Sequence, residues 1–305
     1  MPYIKHFQIL GDVIELNVEI IARQRGVSLA EAYNEVIQHL VNNSAQWRSG
    51  EQPLIPYQNP LCRIAYLYGT TPANANLIEH VFEEDTDLAN YVEVLQNERG
   101  QVSVCAFGGG PGTELLGIAK WIENRCFHAQ IALEFLLLDR VNEWLDSWLA
   151  IKRQIESRFR ENLGANRNNW PLTITGSFST IDITNTTNFG NLGTVFDQDI
   201  YVLSYVVSEI FENVQDLRSF TTYMAGYAPL GAKFLFVDRK EQRWKTEVSN
   251  LAAEAGITLS VFHDTTSSMS TDEQKTDLGR IYDALHEKWE PRVTWDAFWV
   301  VGTKN

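Results

Sequence analysis

Cysteine and paired metal-binding motifs are scarce in this chain. The 305 residues include 3 cysteines, and Cys62, Cys105 and Cys126 show no CxxC spacing. We interpret them as small buried residues in a reducing compartment. The 6 histidines are far apart, without an HxH or HExxH pattern, so the sequence predicts no metal site.

Positive charge is also in short supply. Lysine and arginine number 25 against 39 acidic residues, which gives a formal net charge of −14. Because phosphate backbones are bound by clustered basic residues, this balance disfavours DNA, RNA and anionic membranes as partners. A local basic groove stays open, but a small molecule or a protein is the better expectation for the substrate.

Long apolar runs are missing as well. No stretch approaches the roughly 18 uninterrupted apolar residues of a membrane span. The first residues, Met1 to His6, lack a basic region followed by an apolar one. We therefore expect a cytoplasmic protein without a membrane segment, and the sequence leaves its oligomeric state open.

What the chain does contain is an ordinary globular composition, 44% hydrophobic and 21% charged. Up to about residue 97, apolar residues recur at helical spacing. Ser28 and Glu31 fit a capping box, and Thr71-Pro72 fits the start of a helix. The sequence predicts a helical N-terminal extension or lid over residues 1–97, followed by a second domain over 98–305.

From residue 101 onward, short apolar runs alternate with helical patterns. The predicted strands are Val102–Phe107, Ala132–Leu138, Leu172–Thr175, Ile200–Leu203, Lys233–Val237, Thr258–Phe262 and Ala297–Val301. The predicted helices between them are Thr113–Glu123, Val141–Arg160, Val214–Tyr227 and Trp244–Ala255. This pattern predicts an α/β fold, a Rossmann-like, seven-stranded, mostly parallel sheet with helices on both faces. The last strand is a candidate for antiparallel insertion into the sheet.

A glycine-rich turn joins the first predicted strand to the first sheet helix. It reads Gly108-Gly109-Gly110-Pro111-Gly112, and Thr113-Glu114 follow it. Glycines permit both a tight turn and a close approach of backbone to ligand at the carboxyl end of a strand. The spacing is GxGxG, whereas dinucleotide sites favour GxGxxG and the third glycine of that pattern is Thr113 here. A plain strand–helix connection is the structural alternative.

This turn, with the acids after later strands, resembles motif I and its companions in class I S-adenosylmethionine-dependent methyltransferases. The resemblance covers residues 101–305 and implies S-adenosyl-L-methionine as the cofactor. It assigns Asp139 to the ribose and Asp182, beside Ser179 or Phe178, to the adenine; a helix-capping Asp139 and a plain loop at Asp182 are the alternatives. The complete set of implied cofactor-binding residues is Phe107, Gly108, Gly109, Gly110, Pro111, Gly112, Glu114, Asp139, Arg140, Ser179, Asp182 and Ser204.

One position departs from the family pattern. Many members carry an acid two residues before the first glycine, where it holds the amino group of the cofactor, but this chain has Ala106. Either Glu114 or a residue of the extension would supply that contact, or the cofactor would bind weakly. Tyr66, Tyr68 and Asn74 are candidates to line a pocket, with simple packing of the extension on the sheet as the alternative.

Methyl transfer from a sulfonium is an in-line displacement, which depends chiefly on positioning. A base is needed only when the acceptor must lose a proton. Glu209, just past the fourth strand, is the first candidate for this role, followed by Tyr205 and His263. An exposed glutamate, a core tyrosine and a loop histidine are the respective alternatives.

The predicted function is therefore methyl transfer to a small-molecule or protein acceptor. Two rival hypotheses remain open: a non-catalytic scaffold with this fold, and a nicotinamide-dependent oxidoreductase. Two further features have plain interpretations. Trp144 and Trp148 are expected to pack in the core, with an acceptor cage as the alternative. The Ser/Thr-rich segment 264–271 is expected to be a surface loop, with a mobile segment that closes over the pocket as the alternative.

Overall fold

The helical extension forms as predicted in the computed structural model, which describes residues 4–48, 54–125, 131–163, 172–185, 196–269 and 271–305. Its helices are α1 (His6–Arg25), α2 (Leu29–Arg48), α3 (Pro60–Gly69), α4 (Thr71–Glu84) and α5 (Thr86–Arg99). The Ser28–Glu31 capping box is confirmed, because Glu31 N donates to Ser28 Oγ at 3.2 Å and Ser28 N donates to Glu31 Oε2 at 2.8 Å.

The remaining elements alternate between strand and helix. The strands are β1 (Gln101–Phe107), β2 (Ile131–Asp139), β3 (Leu172–Thr180), β4 (Ile200–Ser204), β5 (Lys233–Arg239), β6 (Ile257–Leu259), β7 (His263–Ser268) and β8 (Thr294–Lys304). The helices are α6 (Thr113–Arg125), α7 (Trp144–Leu163), α8 (Val206–Glu209), α9 (Val214–Tyr227), α10 (Gln242–Glu254), α11 (Thr271–Asp277) and α12 (Arg280–Leu285).

The strands form one sheet in the order β3-β2-β1-β4-β5-β8-β6, with β7 also paired to β8. Strands β1 to β5 are parallel to one another, and β8 runs antiparallel between β5 and β6. The prediction of a mostly parallel, Rossmann-like α/β sheet is confirmed, and so is the antiparallel insertion of the last strand. The inserted β8 separates this order from the 3-2-1-4-5-6 order of dinucleotide-binding sheets.

The far edge of β8 differs from the sequence prediction. Where one strand was expected over 258–262, β6 and β7 follow each other along the same edge of β8. Thr258 faces Thr303, and His263 faces Trp299. Because β8 is 11 residues long, it pairs with both short strands, and the described residues form eight strands instead of seven. Most of the segment 264–271 is therefore strand and not loop.

Both faces of the sheet are covered. Along β1 every residue after Gln101 is buried, with Val104 and Ala106 facing one core and Cys105 and Phe107 facing the other. The first core lies under α1, α4, α6 and α7, and the second lies under α9 and α10. Cys62 and Cys105 are buried free thiols, whereas Cys126 lies outside the described residues.

The helical extension shares the first core with the sheet. Residues of α1 to α5 belong to the same buried cluster as β1, β2, α6 and α7, and the rings of Phe82 and Trp121 lie 5.2 Å apart. The predicted boundary between residues 97 and 98 falls inside α5, and two separate domains stay a prediction. Among the described helices, none combines the length and the apolar character that crossing a membrane requires.

Candidate functional site

The glycine turn after β1 has the backbone that its spacing predicts. Gly108, Gly110 and Gly112 have φ angles of 60°, 50° and 91°, all in the left-handed region that favours glycine. A Cβ on Gly112 would lie 2.7 Å from Cδ1 of Trp148. The turn therefore requires glycine for its backbone conformation and is tightly packed against Trp148 of α7. It carries the chain from the carboxyl end of β1 into α6, so its backbone faces the crest of the sheet.

Gly109 leaves room for a carboxylate. A Cβ at Gly109 would stand 2.9 Å from Oε2 of Glu114, in the first turn of α6. Glu114 is 3% exposed, and its Oε2 has no hydrogen-bond partner among the described residues. Burial raises the pKa of Glu114 to about 8, and the nearby Asp139 adds to this rise. A buried carboxyl oxygen without a partner indicates space for a donor from a ligand.

Asp139 ends β2 and connects two loops. Its Oδ2 accepts a hydrogen bond from Gly110 N at 3.0 Å, and its Oδ1 accepts one from Val141 N at 2.8 Å. Burial raises the pKa of Asp139, while these two amides oppose the rise. The side chain therefore fixes the glycine turn against the β2–α7 connection. Each oxygen keeps a lone pair for a further donor.

The end of β4 is strained. Tyr205 is the one non-glycine residue in the described chain with a left-handed backbone, at φ 59°. It precedes α8, whose last residue is Glu209. Burial raises the pKa of Glu209 to about 8, with Asp238 raising it further and Arg239 lowering it. Glu209 is thus a carboxyl group whose pKa is raised toward neutral pH, and it lies where the sheet crest meets the extension.

These groups line a cavity of about 100 Å³ over the carboxyl ends of β1, β2 and β4. We call it the crest cavity. Its roof is an aromatic cluster from the extension and α7: the ring centroid of Tyr57 lies 5.0 Å from that of Trp144, and that of Tyr66 lies 5.5 Å from it. The crest cavity is therefore enclosed between a polar floor and an apolar cover.

A larger cavity of about 550 Å³ adjoins it between α2, α3 and the ends of β5 and β8. We call it the arginine cavity, because Arg48, Arg239 and Arg292 contribute to its wall. The two cavities share a set of wall residues, which we call the shared wall: Trp47, Tyr66, Asn74, Tyr205 and Glu209. The Oδ1 atom of Asn74 is buried without a hydrogen-bond partner among the described residues.

The structure brings together most of the residues that the sequence singled out. The predicted residues that line the crest cavity are Gly108, Gly109, Gly110, Glu114, Asp139, Arg140, Asp182, Ser204, Tyr205 and Glu209, with Tyr66 and Asn74 from the extension. Asp182 is exposed, and its Oδ1 accepts hydrogen bonds from the backbone and hydroxyl of Thr184.

Other predicted residues lie elsewhere. Phe107 is buried in the second core, with its ring 5.3 Å from that of Phe220. Pro111 and Gly112 are in the turn but not in the cavity wall. Ser179 lies within β3, which continues to Thr180 and not only to Thr175, so the segment after β3 begins later than predicted.

Two residues that were predicted for the site make their contacts outside both cavities. His263 begins β7 and stacks on Trp299 with ring centroids 4.1 Å apart, and it does not line either cavity. Tyr68 is buried, and its hydroxyl donates to the backbone oxygen of Trp289 at 3.1 Å.

Several residues that line the crest cavity were not predicted from the sequence. Trp47, Ile55, Tyr57, Val141, Ile181, Ile183 and Thr184 line the crest cavity, and so does Trp144, which was expected only to pack. Trp148 does pack in the first core. An aromatic residue at helical spacing gives the same pattern whether it faces a core or a cavity wall, so the sequence offered no signal that separates the two.

Comparisons with known proteins add distant likenesses. No family model and no curated sequence matches this chain. A methyltransferase of Methanosarcina mazei, described as SAM-dependent, is similar at 10% identity and a TM-score of 0.41, covering 72% of this chain and 97% of its own. The CMeT domain of the citrinin polyketide synthase is similar at 12% identity and a TM-score of 0.43, covering 94% and 68%.

The N-methyltransferase NodS of Bradyrhizobium japonicum is similar at 14% identity and a TM-score of 0.37, covering 75% of this chain and 97% of its own. All three TM-scores are below 0.5. The functional proposal therefore rests on the geometry of this chain.

Proposed function

We propose that this chain is an S-adenosyl-L-methionine-dependent methyltransferase that binds its cofactor in the crest cavity. The single observation that carries the proposal is the Gly109–Glu114 pair, a glycine whose missing Cβ leaves room for a buried carboxyl oxygen without a partner. That oxygen lies beside a GxGxG turn at the carboxyl end of the first strand, where ligands bind in open parallel sheets.

The residues that line the crest cavity match the chemical groups of the cofactor. Its α-ammonium group needs acceptors, and the unpartnered Oε2 of Glu114 and Oδ1 of Asn74 both border the crest cavity. Glu114 would thus take the place of the acid that many family members carry at the position of Ala106. Asp139 has lone pairs free for ribose hydroxyls, and Ile181 and Ile183 offer apolar surface beside Asp182 for a base.

The bound cofactor would supply an electrophilic methyl group on a sulfonium. The aromatic cluster of Tyr57, Tyr66 and Trp144 would exclude water from that group and present ring faces, which attract cations. The left-handed turn at Tyr205 fixes Glu209 at the shared wall. There, the Glu209 carboxylate can take a proton from the group that is to be methylated. Because its pKa is about 8, the ionised fraction of Glu209 increases as pH rises toward 8.

Calorimetry with S-adenosylhomocysteine tests the proposal. We expect saturable binding by the wild-type chain and none by Gly110→Arg, because Gly110 lines the crest cavity and a side chain there begins beside Trp144. Gly226→Arg is the matched control, since Gly226 is exposed on α9 with no atom within 4 Å of an added Cβ. Both variants are checked for folding by circular dichroism.

Absence of saturable binding by folded wild-type protein would reject the methyltransferase proposal. Saturable binding of NADH in its place would favour the oxidoreductase hypothesis. If the cofactor product binds but extracts incubated with methyl-labelled donor yield no labelled acceptor, the scaffold hypothesis gains.

A further inference from the structure

We infer that the arginine cavity binds the methyl acceptor, and that this acceptor is a small anion with a flat apolar body, its anionic group held by Arg239 and Arg292. The inference rests on the proposed function, because it places the acceptor beside the crest cavity. The residues of the cavity wall alone indicate the chemistry of this ligand: a carboxylate or an equivalent oxyanion on an aromatic or similarly flat frame.

The first argument is the state of the arginines. Arg48 comes from α2, Arg239 from the end of β5 and Arg292 from the segment before β8, yet all three border one cavity. None of the ion pairs formed by the described residues includes these three guanidinium groups, although acids outnumber bases in the chain by 39 to 25. Arg292 is held at the wall by its Nε, which donates to the backbone oxygen of Thr294 at 2.7 Å, and by a side-chain hydrogen bond with Tyr205. Arginine presents a planar fork of donors that matches a carboxylate or phosphate.

The second argument concerns the acids of the same wall, which do not form ion pairs with its arginines. Asp296 already accepts a hydrogen bond from Thr266 Oγ1 at 2.7 Å and lies 3.4 Å from Lys240 Nζ. Glu209, with its raised pKa, is mostly protonated at neutral pH. Glu290 is the remaining acid, and it is exposed to solvent. The wall thus carries three arginines and three acids, and within these described residues none of the three acids forms an ion pair with an arginine of the wall.

The third argument is the shape and chemistry of the wall. Trp47, Tyr66, Tyr205 and Trp289 supply aromatic surface, and the guanidinium carbon of Arg239 lies 5.4 Å from the ring centroid of Trp47. A volume of about 550 Å³ lies within the range of small-molecule pockets.

The arginines and the shared wall occupy the same cavity. An acceptor whose anion contacts Arg239 and Arg292 therefore has its body between aromatic residues and can reach toward Glu209.

The test uses a pair of probes with the same ring system, 6-hydroxy-2-naphthoate and its neutral analogue 6-hydroxy-2-naphthamide. Each is titrated into the full chain by calorimetry, with and without S-adenosylhomocysteine. We expect the anion to bind about tenfold or more tightly than the amide, since charge-assisted contacts to arginine distinguish them. Binding of the anion should also weaken as NaCl is raised.

Variants locate the anion. Arg239→Gln and Arg292→Gln should each weaken naphthoate binding about tenfold and leave the weaker naphthamide binding almost unchanged. Arg153→Gln is the matched control, because Arg153 is exposed on α7 and does not line either cavity. It should bind both probes like the wild type.

Equal binding of the two probes, binding of neither, or full naphthoate affinity in both arginine variants would overturn the inference. Loss of S-adenosylhomocysteine affinity in Arg239→Gln and Arg292→Gln would also overturn it, because the arginines would then serve the cofactor. Arginine-dependent naphthoate binding by a chain that does not bind S-adenosylhomocysteine would retain the anion site and reject the proposed function, so the two failures are distinguishable.

Discussion

The carboxyl group of Glu114 is buried in the first turn of α6, where the amides of a helix start favour an anion, yet burial raises its pKa to about 8. At pH 7 the side chain is therefore mostly protonated in the free protein. An ammonium group placed against Oε2 favours the ionised form and lowers this pKa. Ligand binding and proton loss at Glu114 are consequently linked.

We predict that S-adenosylhomocysteine binding at pH 7 releases a proton from Glu114, because burial raises the pKa of this carboxyl group to about 8 and an ammonium group beside it lowers that pKa. Calorimetric titrations in buffers of different ionisation enthalpy measure this release directly. Glu114→Gln should bind about tenfold or more weakly and release almost no proton. Glu209→Gln is the control and should retain the release. Equal proton release by wild type and Glu114→Gln would contradict the assignment.

At this scale the sequence was informative for polar residues and uninformative for aromatic ones. Glu114, Asp139, Ser204, Tyr205 and Glu209 could be predicted because each lies at a strand end or shortly after one, and parallel strands bring those ends to one crest. The roof residues Tyr57 and Trp144 belong to remote segments, and nothing in their local pattern indicates that they meet over the same cavity.

The turn between β1 and α6 shows how a local element combines two constraints. Gly112 has φ 91°, and an added Cβ would also contact Trp148 at 2.7 Å. Gly26, which ends α1, has φ 67° but no atom within 4 Å of an added Cβ. The two positions therefore separate backbone strain from crowding.

We predict that Gly112→Ala lowers the free energy of unfolding by about 2–4 kcal/mol, from backbone strain plus overpacking against Trp148. Gly26→Ala should lower it by only about 1 kcal/mol, from strain alone. Urea denaturation followed by circular dichroism measures both values. If the two substitutions are equally destabilising, contact with Trp148 does not contribute.

Element boundaries were less predictable than element order. The apolar run of β3 stops near Thr175, but its backbone pairs with β2 as far as Thr180. Residues 175–177 of this edge strand are exposed to solvent, so this part of the strand has no apolar pattern that would predict it. Hydrophobic pattern reports burial and not backbone pairing. The same limit applies to β7, whose serine and threonine residues gave no strand signal although they pair with β8.

The extension and the sheet meet at a close helix crossing. An added Cβ on Gly117, within α6, would lie 2.4 Å from the backbone oxygen of Ala75 and 2.9 Å from Cβ of Ile78, both in α4. No other residue fits at this crossing without moving the two helices apart. The roof of the crest cavity depends on this contact, since Tyr66 and Asn74 lie in α3 and α4.

We predict that Gly117→Ala destabilises the whole protein by about 1–3 kcal/mol, although alanine is the better helix former, because the methyl group overpacks the crossing. Gly226→Ala, on the exposed face of α9, should instead stabilise by up to about 1 kcal/mol. Thermal or urea unfolding of the pair provides the measurement. A stabilising Gly117→Ala would contradict the close approach of α4 and α6.

Overall architecture could be predicted because alternating apolar runs and helical patterns define a parallel sheet with two covered faces. The arginine cavity could not, since Arg48, Arg239 and Arg292 are distant in sequence and scattered among acids. Only the folded chain places them on one wall. Net charge indicates an acidic protein and does not indicate where its arginines come together.

The antiparallel strand β8 also has a consequence for biosynthesis. Among the described strands, β6 and β7 pair with β8 alone, and β5, which pairs with β4 on one edge, has residues 294–304 as its partner on the other. While a ribosome is still making that segment, the nascent chain carries strands with open hydrogen-bonding edges, which favour association with other chains. Completion of the sheet must therefore wait until translation has passed residue 304, and protection of the emerging polypeptide by chaperones matters most during that interval.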